Sequence, residues 1–202
     1  MKISLLLLLS FVGGLALAAA DGLPDFLLHE AWSQSVLWVL MFVVGVGVGS
    51  DKALVARMRG LHRGVFLVPV LVAAGSILGA LLVSFFLKAL QPAEAMAVGA
   101  GFGYYSLSAI LIAGLHGEEL AVVAMLANIV RELLTLVLAP WWVRWFGRLA
   151  LVGAGGATAM DTTLPVVLKY SGQEWTVVAV FSGLVLSLLV PVLIPLLLSF
   201  AF

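Results

Sequence analysis

The chain has 202 residues, 64% of them hydrophobic and 10% charged, and its ten basic and ten acidic residues cancel to zero net charge. Its mean hydropathy is +1.24, whereas a water-soluble domain is about half apolar and about a quarter charged, so the solvent around this fold must be lipid. The lack of a basic stripe excludes nucleic acid as a partner, and the lack of cysteine excludes disulfides, thiolate catalysis and Cys-bound zinc.

Apolar runs near the ~20 residues that a transmembrane helix needs fall at about 2–20, 31–49, 64–90, 92–115, 119–139, 149–168 and 175–201. In the first, Lys2, an apolar stretch to Leu17 and Ala18, Ala19 and Ala20 before Asp21 mimic a signal peptide with its cleavage site. Gly13 and Gly14 in its middle suit helix packing better than a signal core, so residues 1–20 are expected to be retained as a first helix. Either reading places Asp21 outside the cell.

Cytoplasmic loops are enriched in Lys and Arg, so the loop 50–63, with Lys52, Arg57, Arg59 and Arg63, is expected inside. If all seven runs cross, Arg144 and Arg148 join Lys88 outside, against six basic residues inside. If 92–115 and 149–168 instead enter and leave on their own side, eight basic residues are inside and Lys88 alone is outside. The expected fold is therefore an all-α polytopic membrane protein, a single domain over 1–202. It has about five full transmembrane helices and two discontinuous or re-entrant Gly-rich segments entering from opposite faces, with the C-terminus outside.

Those two segments are the least suited to an unbroken helix. The first carries Gly99, Gly101 and Gly103 before Tyr104, Tyr105, Ser106 and Ser108; the second carries Gly153, Gly155 and Gly156, then Thr158, Asp161, Thr162, Thr163 and Pro165. Glycine loses backbone entropy in a helix and proline lacks the N–H a helix needs. Non-helical backbone at membrane depth is tolerated only where it is buried in protein or lines a wet cavity. For Gly99 and Gly103 alone, a small-residue packing face is an equal alternative. Discontinuous helices meeting near the midplane are the pattern of secondary transporters.

Three charges fall well inside the apolar runs, away from their ends: Arg131, Glu132 and Asp161. A charge at the bilayer centre costs roughly 2.5–3.5 kcal/mol on insertion scales, so such residues face the protein interior or a wet cavity. Asn128, Glu132 and Thr135 lie at i, i+4 and i+7 on one helical face, flanked by Arg131. One reading pairs Arg131 with an acid to fix helix packing. It leaves a second carboxylate over, which either protonates or holds a cation. The candidate substrate- and proton-binding residues are therefore Glu132, Asp161, Arg131, Asn128, Thr158, Thr162, Tyr104, Ser106 and Ser108. Gly99, Gly101, Gly103, Gly155, Gly156 and Pro165 are the candidate backbone breaks lining the site. Tyr104, Ser106 and Ser108 also fit a role inside a kinked helix. Trp141, Trp142 and Trp145, beside Arg144 and Arg148, fit an interfacial belt. His29, His62 and His116 lie far apart in loop-like contexts, so neither a metal site nor a cofactor is expected.

The stretch from Met96 to Phe200 resembles the LysO-type L-lysine exporters. The resemblance rests on residues 101–108, Ala127 and Asn128, Arg131-Glu132-Leu133, residues 156–165 and residues 186–191. It implies export of L-lysine and its analogue thialysine across the cytoplasmic membrane, driven by the proton gradient, with essential carboxylates at Glu132 and Asp161. Lysine's ammonium groups would meet these acids, and its carboxylate would meet Arg131 or the N–H groups of a half-helix. Family members carry roughly a further hundred residues before this region, so a homodimer or a separately encoded small three-span subunit is the expected partner besides lipid, lysine and protons. The alternatives are a transporter of another small cation (arginine, ornithine or an inorganic ion) and a non-transporting membrane subunit. An intramembrane hydrolase with Ser106 or Ser108 as nucleophile and His116 as base lacks the Gly-x-Ser-x-Gly elbow, and no enzyme activity is expected.

Overall fold

The computed structural model describes residues 63–86 and 89–201, with isolated helical positions at 13, 16, 17, 35, 39, 42 and 46. Apart from those positions, the predicted spans 2–20 and 31–49 and nearly all of the loop 50–63 lie outside the described residues. The chain divides into two units, Met1–Gly47 and Val48–Phe202; the architecture below is that of the second.

Every regular element among the described residues is helical. A 3-10 turn, Arg63–Phe66, leads into α1 (Leu67–Ser84). Then follow α2 (Pro92–Gly99), α3 (Tyr105–His116), α4 (Glu118–Val137) and α5 (Ala139–Phe146). The chain continues with α6 (Ala150–Gly155), a 3-10 segment Gly156–Met160, α7 (Leu164–Tyr170) and α8 (Gln173–Leu198). Gly64–Ser84, α4 and α8 are each long and apolar enough to cross a bilayer. The protein is a multi-pass membrane protein.

The two glycine-rich segments are each interrupted, and each folds back on itself. Pro92 opens α2, and Glu94 in its first turn accepts the Gln91 backbone N–H at 2.7 Å, a capping box. The other oxygen of Glu94 lies 2.8 Å from Nε2 of His116, in the last turn of α3. The start of α2 and the end of α3 therefore lie side by side, and residues 100–104 form the tip. In the second segment Ser171, just past α7, donates its hydroxyl to the Arg148 carbonyl just before α6, at 2.7 Å. Arg148 also pairs with Glu174 at 3.0 Å, on the surface. This hairpin too is closed at its base, with its tip between Gly156 and Thr163.

The two bases sit at opposite ends of α4. The first hairpin enters α4 directly through Gly117, and the second follows it through α5. At 1.5 Å per residue the 20 residues of α4 span about 30 Å. The tips meet between those ends, where Ala157 N–H donates to the Phe102 carbonyl at 2.8 Å. Small residues allow the close fit, since Ala97, Ala100, Ala124 and Ala159 are wholly buried. Gly99 packs against Ala80 and Ser76 of α1, while Gly103 lies in the break itself with φ +95°. The two glycines therefore serve different purposes, one for packing and one for turning. Around the second hairpin, Val68, Ala139, Leu151, Val152, Val167 and Val178 form an apolar cluster joining α1, α5, α6, α7 and α8.

Candidate functional site

Breaking two helices inside hydrocarbon sets free N–H and C=O groups that have no water to bond. The side chains of α4 satisfy them. Asn128 lies at the middle of α4, ten residues past Glu118 and nine before Val137. Its Oδ1 accepts the Gly103 N–H at 2.7 Å, and its Nδ2 donates to the Ala124 carbonyl at 2.8 Å. Nδ2 also reaches the Val98 carbonyl at 3.4 Å and Ser108 Oγ at 3.5 Å. A Cβ on Gly101 would sit 2.5 Å from that amide nitrogen, so only glycine admits the clamp. Asn128 is thus occupied with the backbone of the first tip. Exchanging it for leucine leaves the buried Gly103 N–H without an acceptor, at about 1–3 kcal/mol, and removes the amide bonds besides. The expected result is a Tm several degrees lower in detergent; equal melting of Asn128→Leu and wild type would refute the clamp.

One turn along, Arg131 serves the second hairpin. Its Nε donates to the Ala154 carbonyl at 2.8 Å and its Nη2 to the Gly153 carbonyl at 2.9 Å, capping the C-terminal end of α6. Its Nη1 donates to Ser76 Oγ of α1 at 2.8 Å. Among the described residues no carboxylate pairs with it, so the packing salt bridge considered above is replaced by bonds to neutral oxygens. Thr135 Oγ1 donates to the Arg131 carbonyl at 2.8 Å, one turn back.

Glu132 follows on α4 and is half-buried. Asp161 lies between the 3-10 segment and α7; it is exposed, and its Oδ1 accepts the Thr162 N–H at 2.6 Å. No hydrogen bond or ion pair among the described residues links Asp161 to Glu132 or Arg131. Thr158 is buried and donates to the Gly155 carbonyl at 2.9 Å; Thr162 is exposed beside Asp161. Tyr104 is half-buried in the first break, Ser106 is exposed, and Ser108 is buried with its hydroxyl donating to the Tyr105 carbonyl at 3.1 Å. Gly155 ends α6, Gly156 turns the chain with φ +63°, and Pro165 lies in the first turn of α7. His116 is the last residue of α3 rather than a loop residue. Eight residues separate it from Ser108, about 12 Å along the helix, so the serine–histidine pair of a hydrolase is not brought together.

One residue escaped the sequence reading. Ser76 is the one hydroxyl in the middle of α1, and that isolation was its only signal. Thr163 is fully buried, and its hydroxyl has no partner among the described residues. A cavity of about 560 Å³ opens between α4, α5 and α6, bordered by Arg131, Thr135, Trp142, Gly153 and Ala154. A second, of about 460 Å³, lies across α6 against α1 and includes Ser76. Trp141 and Trp145 are exposed and stack at 5.8 Å between ring centres, while Trp142 is half-buried.

A sequence model of the family described as lysine exporter LysO matches residues 8–198. The chain is 36% identical over 190 residues to the lysine exporter LysO of Escherichia coli (strain K12), covering 92% of this chain and 62% of that protein. It is 31% identical over 163 residues to a Haemophilus influenzae protein named "Putative lysine exporter", covering 79% of this chain and 80% of that one. The chain thus spans less than two thirds of the length of the first relative. No solved structure matches it.

Proposed function

Since the chain belongs to the lysine exporter LysO family, we propose that it carries L-lysine out of the cell in exchange for protons. The observation that supports this most is the contact of two hairpin tips, Phe102 carbonyl to Ala157 N–H, between bases at opposite ends of α4. Half-helices ending at membrane depth present oriented dipoles to a solute, and small movements of either hairpin open the junction to one side only. Glu132 and Asp161 supply the negative charge: lysine's ammonium groups and protons occupy them in turn. Thr158, Thr162 and the Gly155–Gly156 turn border the same passage. Thialysine, which keeps both charged ends of lysine, takes the same route.

Coupling follows from energetics. Moving one positive charge outward against an inside-negative potential costs about 2.3 kcal/mol per 100 mV, and inward movement of one proton cancels that electrical cost. In this reading the protein lies in the cytoplasmic membrane with the loop 50–63 inside. The first hairpin enters from outside, the second from inside, and the C-terminus is outside. The test is flux of labelled lysine in proteoliposomes of the purified chain. Lysine movement that accelerates with an opposing pH gradient and collapses with a protonophore supports the proposal, and flux indifferent to the gradient removes proton exchange from it. The natural absence of cysteine permits a second check. Gln91→Cys, at the base of the first hairpin, is expected to react with an impermeant maleimide from outside the cell, and Gln173→Cys, at the base of the second, only after permeabilisation. Labelling of both from one side contradicts entry from opposite faces.

A further inference from the structure

The two hairpin tips are held by different chemistry, and the difference calls for a reason. Asn128 serves the first tip with a neutral amide. The second is served by a guanidinium, although a neutral amide could also donate to the Gly153 and Ala154 carbonyls. A cation within the bilayer costs roughly 2.5–3.5 kcal/mol on insertion scales, and bonds to neutral oxygens do not cancel its charge.

Arg131 has five N–H donors. Three are spent, on Ala154, Gly153 and Ser76, which leaves one on each terminal nitrogen without an acceptor among the described residues. The described ion pairs are Glu94 with His116 and Arg148 with Glu174, both at hairpin bases rather than beside Arg131. Arg131 also borders the cavity of about 560 Å³, within the ~300–1,000 Å³ of small-ligand sites. Its other walls include Ala127, Val130, Leu134, Thr135 and Trp142, whose indole N–H has no partner among the described residues. A guanidinium with spare N–H donors and no paired carboxylate among the described residues, bordering a largely apolar cavity, is suited to the carboxylate of a small substrate.

We propose that Arg131 reads the α-carboxylate of the substrate, so that the pathway accepts a cationic amino acid and rejects the diamine lacking that group. This rests on the lysine-export reading and assigns to it a specificity-determining residue. Ser76, Gly153 and Ala154 orient the guanidinium, and the substrate brings the counter-charge that the protein omits.

The experiment is competition against labelled lysine in wild-type proteoliposomes, using lysine, lysinamide and 1,5-diaminopentane. Lysinamide keeps the shape of lysine with a neutral amide at the carboxylate, and the diamine keeps only the two amines and the chain. Both are expected to compete about 100-fold more weakly than lysine, because a site built to bond a group leaves its own donors unpaired when that group is missing. Arg131→Lys, which retains the charge but not the fork, is expected to raise the KM for lysine about tenfold and to narrow the ratio of lysine to lysinamide. A purely structural Arg131 would lower the amount of folded protein and leave that ratio unchanged. Equal competition by lysine and lysinamide in the wild type overturns the proposal while leaving export intact, and absence of any lysine flux overturns both. If Arg131→Lys does not fold, the wild-type series decides alone.

Discussion

Gly156→Ala is expected to separate the two hairpin tips and to end transport. Gly156 has φ +63° and ψ −122°, a conformation that L-residues with a side chain adopt only under strain, at about 1–3 kcal/mol. A Cβ there would also run into the carbonyl oxygen of Phe102 and lie 3.0 Å from Nη2 of Arg131. That oxygen is the acceptor for Ala157 N–H, the bond joining the tips. The new methyl therefore strains the turn, displaces the acceptor and crowds the guanidinium capping α6. Losing the bond at membrane depth adds about 1–3 kcal/mol, so with the strain a destabilisation of at least ~2 kcal/mol is expected. Thermal unfolding in detergent should fall by many degrees, and lysine flux should disappear from whatever folded protein remains. Alanine at 156 with wild-type melting and flux would mean that the tips do not need this contact.

Glu132→Gln and Asp161→Asn should do the opposite: leave the fold intact and remove export. Glu132 is half-buried, and Asp161 is exposed with only its neighbour Thr162 bonded to it. The amide oxygen of asparagine can still accept the Thr162 N–H, so the turn should survive. A neutral side chain, however, can neither attract an ammonium group nor release a proton. Each variant is expected to lower proton-driven lysine flux by about 100-fold or more, with melting within a few degrees of wild type. Flux at the wild-type level in both variants would remove the carboxylates from the mechanism, whatever the fate of the hairpins.

Much of the fold was readable because its signals are local. Each of the three long helices is an apolar run of the required length, and Glu118, Glu119 and Glu174 occupy first turns, where the helix dipole favours negative charge. The breaks announced themselves through Gly101, Gly103, Gly156 and Pro165, whose effect on the backbone does not depend on distant neighbours. Arg131, Glu132 and Asp161 stood out because charge within hydrocarbon is costly wherever the side chain points.

The partners of those residues were not readable. Asn128 and Arg131 looked like ligands for a solute, or Arg131 like half of a salt bridge. The acceptors they hold are carbonyls at positions 98, 153 and 154, set free by breaks more than twenty residues away. A carbonyl carries no trace in the amino-acid code, and whether it is spent inside a helix depends on where that helix stops. Ser76 is similar, an ordinary hydroxyl until α1 packs 55 residues from its partner. The residue string alone determined that the chain lives in lipid, where the described long helices run, where two segments break and which charges fall within the apolar runs. Only the tertiary structure decided that the failures meet at the middle of α4 and that α4 holds both, because the groups needing satisfaction belong to the backbone and exist only once the chain has folded back.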